Sequence, residues 1–338
     1  MRPMLSEPTI AAAPGKVIIA GEHAVVYGHV ALGFALSRQA SVSLRPGRGD
    51  VRLHLDQTIA AMLGTAPAGI QGVATPTALV HRILGRHRHR IDVDIHLSIP
   101  PMSGLGSSAA IAVATARAFV GYMGQKRASD LTIFRSAMTA ERLAHGRPSG
   151  VDPAIVVAGG IVRFQRASER TARARTQAHL LHEGPAPRPK KSEWRSVRAA
   201  RPLSFVVGVA GRHGGTRGAI GHVAALKKDS ARMTRAAMTT LGEVAETACL
   251  HTARGNIAAL GRAVNLAHGV LLGLGLVPEH VHDATLIARA AGALGAKMTG
   301  AGGQGGAFIA LAEDDSGAAR IVRRLRKHGL LAWSETVR

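Results

Sequence analysis

The sequence predicts an α+β protein built as two domains, on three observations. At 338 residues the chain exceeds what one hydrophobic core ordinarily organises. Apolar residues alternate with polar ones in some runs, the period of half-buried strands, while other stretches repeat at the helical period. Between the two halves, residues 165–202 are basic, poor in large apolar side chains and broken by Pro185, Pro187 and Pro189. Such a stretch reads as a linker or long insertion, mobile at least in part. The expected organisation is therefore 1–164, an insertion over 165–202, and 203–338.

The first strand is expected at residues 17–20, after Pro14 and Gly15, with Lys16 at its edge. Gly21, Glu22 and His23 follow at once, a polar cluster at a tight turn that on spacing alone reads as a surface turn with an ion pair. Val51, Leu53 and Leu55 alternate with polar residues and mark a second strand. The rule is met more strictly over 91–99, where Ile91, Val93, Ile95, Leu97 and Ile99 share one face and Asp92, Asp94, His96 and Ser98 the other. That strand delivers the chain to residues 99–114, IPPMSGLGSSAAIAVA.

Here Pro100 and Pro101 end the strand, Gly104 and Gly106 free the backbone to curl, and the apolar run from Ala109 begins a buried helix. The first-turn N–H groups of a helix lack intrahelical partners and the macrodipole adds positive charge, so this loop suits an anion such as phosphate. Ser107 and Ser108 can cap the helix, hold a phosphate oxygen or join the oxygen shell of Mg²⁺. No Gly-Lys-Ser/Thr follows at P-loop spacing. Residues 104–109 spell G-x-G-x-x-A, but Pro100, Pro101, Met102 and Ser103 separate strand from glycine, against the tight turn of a dinucleotide-binding unit.

A helix is expected over 131–144, stopped by Gly146 and Pro148. Glu141 falls in its last two turns, where a carboxylate opposes the dipole; a Mg²⁺ ion, or a salt bridge to Arg135 or Arg142, accounts for it. Asp152 before Pro153 carries the signature of an N-cap, and equally suits a general base at a helix N-terminus. A strand over 203–210 opens the second half. The cationic glycine turn 211–217 then reads either as an anion site or as a plain loop. Helices over 219–250, 256–273 and 278–292 should form a layer on a sheet, and residues 297–311, KMTGAGGQGGAFIAL, run from a dense glycine turn into a strand. Five glycines between 300 and 306 point to close approach of a ligand or of other backbone. A last helix is expected over 316–327.

The formal charge of +22 invites a nucleic-acid partner, yet much of it is concentrated in the insertion, and 3% aromatic residues are too few for a base-stacking platform. A basic surface equally attracts polyphosphates and anionic metabolites. Cys249 is the only cysteine, which excludes an internal disulfide and a cysteine-cluster zinc site and fits a reducing, cytoplasmic setting. Pro3, Glu7 and Pro8 interrupt any signal-peptide core, and no apolar run approaches the roughly 20 residues that span a bilayer.

Three separated segments resemble the motifs of the GHMP small-molecule kinases: residues 14–28 (PGKVIIAGEHAVVYG), residues 100–110 (PPMSGLGSSAA) and residues 299–303 (TGAGG). The wording of the first, and of residues 141–160, is similar to the mevalonate-kinase branch of that family. The resemblance implies an N-terminal domain like ribosomal protein S5 domain 2 and a ferredoxin-like C-terminal domain. It also implies ATP and Mg²⁺ as cofactors and mevalonate, phosphorylated on its 5-hydroxyl, as substrate; phosphomevalonate or another small alcohol is the alternative acceptor. Carried over residue by residue, Met102, Ser103, Gly104, Leu105, Gly106, Ser107 and Ser108 cradle the ATP phosphates, and Ser108 with Glu141 holds Mg²⁺. Asp152 takes or orients the acceptor proton, Lys16 holds Asp152 and stabilises the transferred group, and Glu22, His23 and Thr216 lie on the mevalonate side. Gln304, Gly306 and Pro153 depart from the family wording. No membrane partner is expected, a nucleic-acid partner is disfavoured, and a homodimer is compatible with the sequence.

Overall fold

The computed structural model describes residues 7–47, 52–55, 76–85, 91–145, 148–167, 192–211, 216–302 and 306–338. The chain divides into two compact units. The first comprises Met1–Val17, Ala35–Pro148 and Asp152–Gly159; the second comprises Ile18–Phe34, Ser149–Val151 and Gly160–Arg338. Both mix helix and sheet, as the α+β reading expects.

Strands β1 (Thr9–Ala20) and β2 (Val30–Pro46) pair with each other and contribute residues to both units. In the first unit, β3 (Arg52–Leu55) is followed by helix α1 (Pro76–Leu84) and strand β4 (Ile91–Leu97). The second half of β2 runs antiparallel to β4, with Ala40 opposite Leu97 and Leu44 opposite Val93, and β3 lies parallel on the far side of β4. Ile91, Val93, Ile95 and Leu97 are buried while Asp92, Asp94 and His96 are not, so the period-two pattern does set the strand's inner face. Helices α2 (Ser107–Tyr122) and α3 (Asp130–His145) pack on each other and on α1. Helix α2 has an unbroken run of buried residues from Ala109 to Ala116, as its apolar composition dictates. The short helix α4 (Val151–Ala158) follows.

In the second unit, β5 (Ile161–Gln165) pairs with the first residues of β2 and, on its other side, with β6 (Glu193–Ser196). Part of the basic 165–202 stretch is therefore a strand; residues 168–191 lie outside the described residues. Strand β7 (Leu203–Ala210) then leads to helices α5 (Thr216–Asp229), α6 (Ala231–Arg254), α7 (Ile257–Gly273) and α8 (Glu279–Ala290). Strands β8 (Gly295–Thr299) and β9 (Gly306–Leu311), helix α9 (Asp315–Lys327) and strand β10 (Leu331–Val337) complete the chain. The sheet order is β10-β7-β9-β8, antiparallel throughout, with α7 and α8 against β8 and α9 against β10 and β7. Phe34 and Phe205 meet with ring centroids 4.9 Å apart in its core.

The helix expected over 219–250 is two helices. Ser230, with φ −145°, leaves the helical region between Asp229 and Ala231 and becomes the N-cap of α6. Serine and aspartate compete with the helix for backbone hydrogen bonds, which favours a break there.

Candidate active site

The glycine loop curls through three left-handed residues: Met102 (φ +49°), Gly104 (φ +81°) and Gly106 (φ +78°). Ser103 Oγ donates to the Pro100 carbonyl at 2.5 Å and closes the turn. Lys16 anchors it from β1: its N–H bonds the Leu105 carbonyl at 2.9 Å and its Nζ the Gly104 carbonyl at 3.3 Å. A Cβ on Gly106 would lie 2.7 Å from Lys16 Cγ, so only glycine lets the loop approach this closely. Gly106 is the N-cap of α2 and no side chain caps the helix. Ser107 and Ser108 are its first helical residues, which sets aside their reading as caps. Their N–H groups fall among the first-turn donors that lack an intrahelical acceptor.

Behind this loop stand two carboxylates and a cation. Lys16, 3% exposed, reaches Asp152 Oδ2 at 3.0 Å. Asp152 is not the N-cap of α4. The helix begins at Val151, whose N–H bonds Ser149 Oγ at 3.3 Å, and Asp152 sits within the first turn. Glu141 on α3 is 1% exposed and is hydrogen-bonded by the Ser108 hydroxyl. Burial, and then the neighbouring Asp152 charge, push its carboxyl up to about 7; the Ser108 hydrogen bond and Lys16 act against that rise.

A second cluster lies within the other unit. The Gly21, Glu22, His23 turn has left-handed backbone at Gly21 (φ +96°) and at His23 (φ +58°). The ion pair expected inside this segment is not local: Lys16 goes to Asp152, while Glu22, 2% exposed, pairs with the wholly buried Lys297 of β8. His23 Nε2 donates to the Ala301 carbonyl at 2.9 Å, and burial holds its pKa below the usual histidine range. Thr299 Oγ1 accepts the Ile18 N–H at 2.8 Å and donates to the Ile18 carbonyl at 3.1 Å. Thr216 opens α5, and its side chain lies outside the described residues. Lys297 is a member of this buried cluster that the sequence reading does not single out. Its signal is a lysine directly before the TGAGG turn in a strand otherwise made of small and apolar residues.

Among the described residues there is no group of three or more His, Cys, Asp or Glu able to hold a metal, and no helix long and apolar enough to cross a membrane.

A glycine loop opening a helix and a buried carboxylate beside a lysine–aspartate pair are features that suit the handling of phosphate. Residues 73–160 match the GHMP kinases N terminal domain and residues 246–330 the GHMP kinases C terminal domain. The chain belongs to the GHMP kinase family, and it is an ATP-dependent small-molecule kinase. It is 32% identical to the mevalonate kinase of Aeropyrum pernix over 89% of this chain and 87% of that one. To the mevalonate kinase of Thermococcus gammatolerans it is 28% identical over 95% and 97%. Its fold is similar to the crystal structure of L. major mevalonate kinase in complex with R-mevalonate, with a TM-score of 0.78 and 23% identity over 99% of this chain and 96% of that one.

Proposed function

We propose that this kinase transfers the γ-phosphoryl group of ATP to the 5-hydroxyl of mevalonate. The phosphoryl-transfer chemistry rests on one observation: the Lys16–Asp152 pair at 3.0 Å, held by the same lysine that anchors the glycine loop. The choice of acceptor rests on the relatives named above.

Phosphoryl transfer asks the protein for positioning and charge neutralisation more than for covalent chemistry. Backbone N–H groups over residues 102–108, with the N-terminus of α2, bind the phosphates of ATP. Asp152 accepts the proton of the attacking hydroxyl. Lys16 fixes the Asp152 carboxylate and offsets charge on the group in transfer. Glu22 and His23 face the acceptor, a role that the family resemblance also gives to Thr216.

The residues fit a magnesium ion. Ser108 and Glu141 offer the hard oxygen donors Mg²⁺ prefers, and Glu141, whose charged form burial and Asp152 disfavour, is a carboxylate a divalent cation would return to its ionised state. Ser108 and Glu141 would hold the ion, which when bound neutralises charge on the nucleotide phosphates.

The test is ADP release by purified protein with Mg-ATP and R-mevalonate, the product assigned by phosphorus NMR, run beside phosphomevalonate, galactose and homoserine. Turnover of mevalonate well above the other acceptors is expected. Preference for another alcohol, or steeply salt-dependent duplex DNA binding with no turnover at all, refutes the reading.

A further inference from the structure

Strand β8 is buried at all five residues, and one of them is a lysine with no exposed surface. A methionine would fill such a position without the desolvation cost that a buried ammonium carries. The three N–H groups of Lys297 are directed to the Met298 carbonyl at 2.5 Å, the Ile18 carbonyl at 3.5 Å and the Glu22 carboxylate. An ammonium so engaged acts on its surroundings through what it holds. Buried ion pairs add little net stability over apolar replacements, so one retained in a solid core points to geometry as its return.

We propose that Lys297 is a positioning residue for the acceptor side of the reaction, holding the Glu22 carboxylate, and through it the turn that carries His23, in the geometry the acceptor meets. The inference rests on the reading of Glu22 and His23 as acceptor-facing residues. Other ties converge on the same turn. Thr299 bonds both backbone groups of Ile18, and Ala301 accepts from His23. The left-handed backbone of His23 is a strained state for a residue with a Cβ and persists only where its surroundings over-determine it. Without Lys297, the buried Glu22 carboxylate loses the cation beside it.

The experiment compares wild type, Lys297→Met, Glu22→Gln and the double variant as full-length chains. Steady-state kinetics vary Mg-ATP and the acceptor separately, and thermal melting is followed in parallel. Lys297→Met is expected to raise the acceptor KM about 10-fold while the ATP KM stays within about 2-fold, a split that a merely less stable protein does not produce. In the Glu22→Gln background the same substitution should leave the acceptor KM unchanged, because the group it acts through is already gone. An unchanged acceptor KM in K297M, an equal rise in both KM values, or an undiminished effect in the E22Q background overturns the proposal. If K297M does not fold, E22Q and the double variant decide it: equal acceptor KM supports the role, and a further rise of about 10-fold refutes it. A wild type that turns over another alcohol but not mevalonate overturns the proposed acceptor alone, and the cycle is then run on that alcohol; turnover of no alcohol overturns both.

Discussion

Replacing Gly106 by alanine tests whether the glycine loop and the Lys16–Asp152 pair act as one device. The new Cβ would stand 2.7 Å from Lys16 Cγ and 3.0 Å from Cε, so the lysine stem must retreat by about 0.7 Å to reach ordinary contact. It has little freedom to do so: Lys16 is 3% exposed and its Nζ is tied to Gly104 at 3.3 Å and Asp152 at 3.0 Å. A shift of that size stretches the pair past good hydrogen-bond range, and misplacements near 1 Å cost on the order of 10²-fold in rate, about 2.7 kcal/mol of barrier. The left-handed backbone (φ +78°) adds a penalty of about 1 kcal/mol in stability for any residue with a Cβ. Gly159 supplies the control, for it has a similar φ of +70° and a methyl placed there would meet nothing within 4 Å. Gly159→Ala should therefore lose about the same 1 kcal/mol by urea denaturation with kcat within about 2-fold of wild type, while Gly106→Ala loses about 10²-fold in kcat. Equal kcat values for the two variants would refute the coupling of loop and lysine.

Asp152→Asn and Lys16→Met should both fold, by circular dichroism and melting, and lose about 10³-fold in kcat with little change in the ATP KM; near-normal turnover in either removes that residue from its role. Chelation of Mg²⁺ should abolish turnover, and Glu141→Gln should raise the Mg²⁺ concentration for half-maximal rate by about 10-fold; an unaltered Mg²⁺ titration means Glu141 does not hold the ion. His268 on α7 accepts the Met298 N–H on Nδ1 at 3.3 Å, and burial, with Lys297 next in importance, lowers its pKa to about 4. The unfolded chain takes up this proton near pH 6.5 and the native chain does not until about pH 4, so stability is lost as pH falls between those values. The loss from this group is at most about 3 kcal/mol and is reduced by solvent screening of a ring that is not fully enclosed, and a His268→Gln variant whose denaturation midpoint falls as steeply with pH as that of wild type shows that another group is responsible.

What is legible in the sequence is local. Residues 91–97 announce their strand because alternation is a property of neighbours, and the curl at Gly104 and Gly106 because only glycine adopts left-handed backbone freely. Met102 at φ +49° carries no such mark. Strand β2 escapes a reading by period because it has two characters. Val30, Ala31, Leu32, Gly33 and Phe34 are all buried, whereas Ala40, Val42 and Leu44 alternate with more accessible residues, so neither period runs its length. The site residues are named through family resemblance, since their partnerships are long-range: Lys297 and Glu22 stand 275 positions apart, and nothing in their spacing pairs them.

Burial of charge separates the two clusters in a way that composition does not. The chain carries 43 Lys and Arg and 21 Asp and Glu, yet among the described residues only Lys16, Glu22, Glu141, Lys297 and Glu335 are buried members of those four types. Glu335 accepts the Trp333 indole N–H at 2.7 Å and is accounted for within β10. The other four fall in the two clusters, two in each. Lys297 and Glu22 form a neutral pair, a group with no demand for a further ion. Lys16 pairs with Asp152 at 3.0 Å, and the Glu141 carboxyl is raised to about 7 first by its burial and then by the Asp152 charge. In the proposed reading, phosphate and metal binding belong to the glycine-loop cluster, where Ser108 and Glu141 offer oxygen donors, and the turn held by Lys297 serves the acceptor.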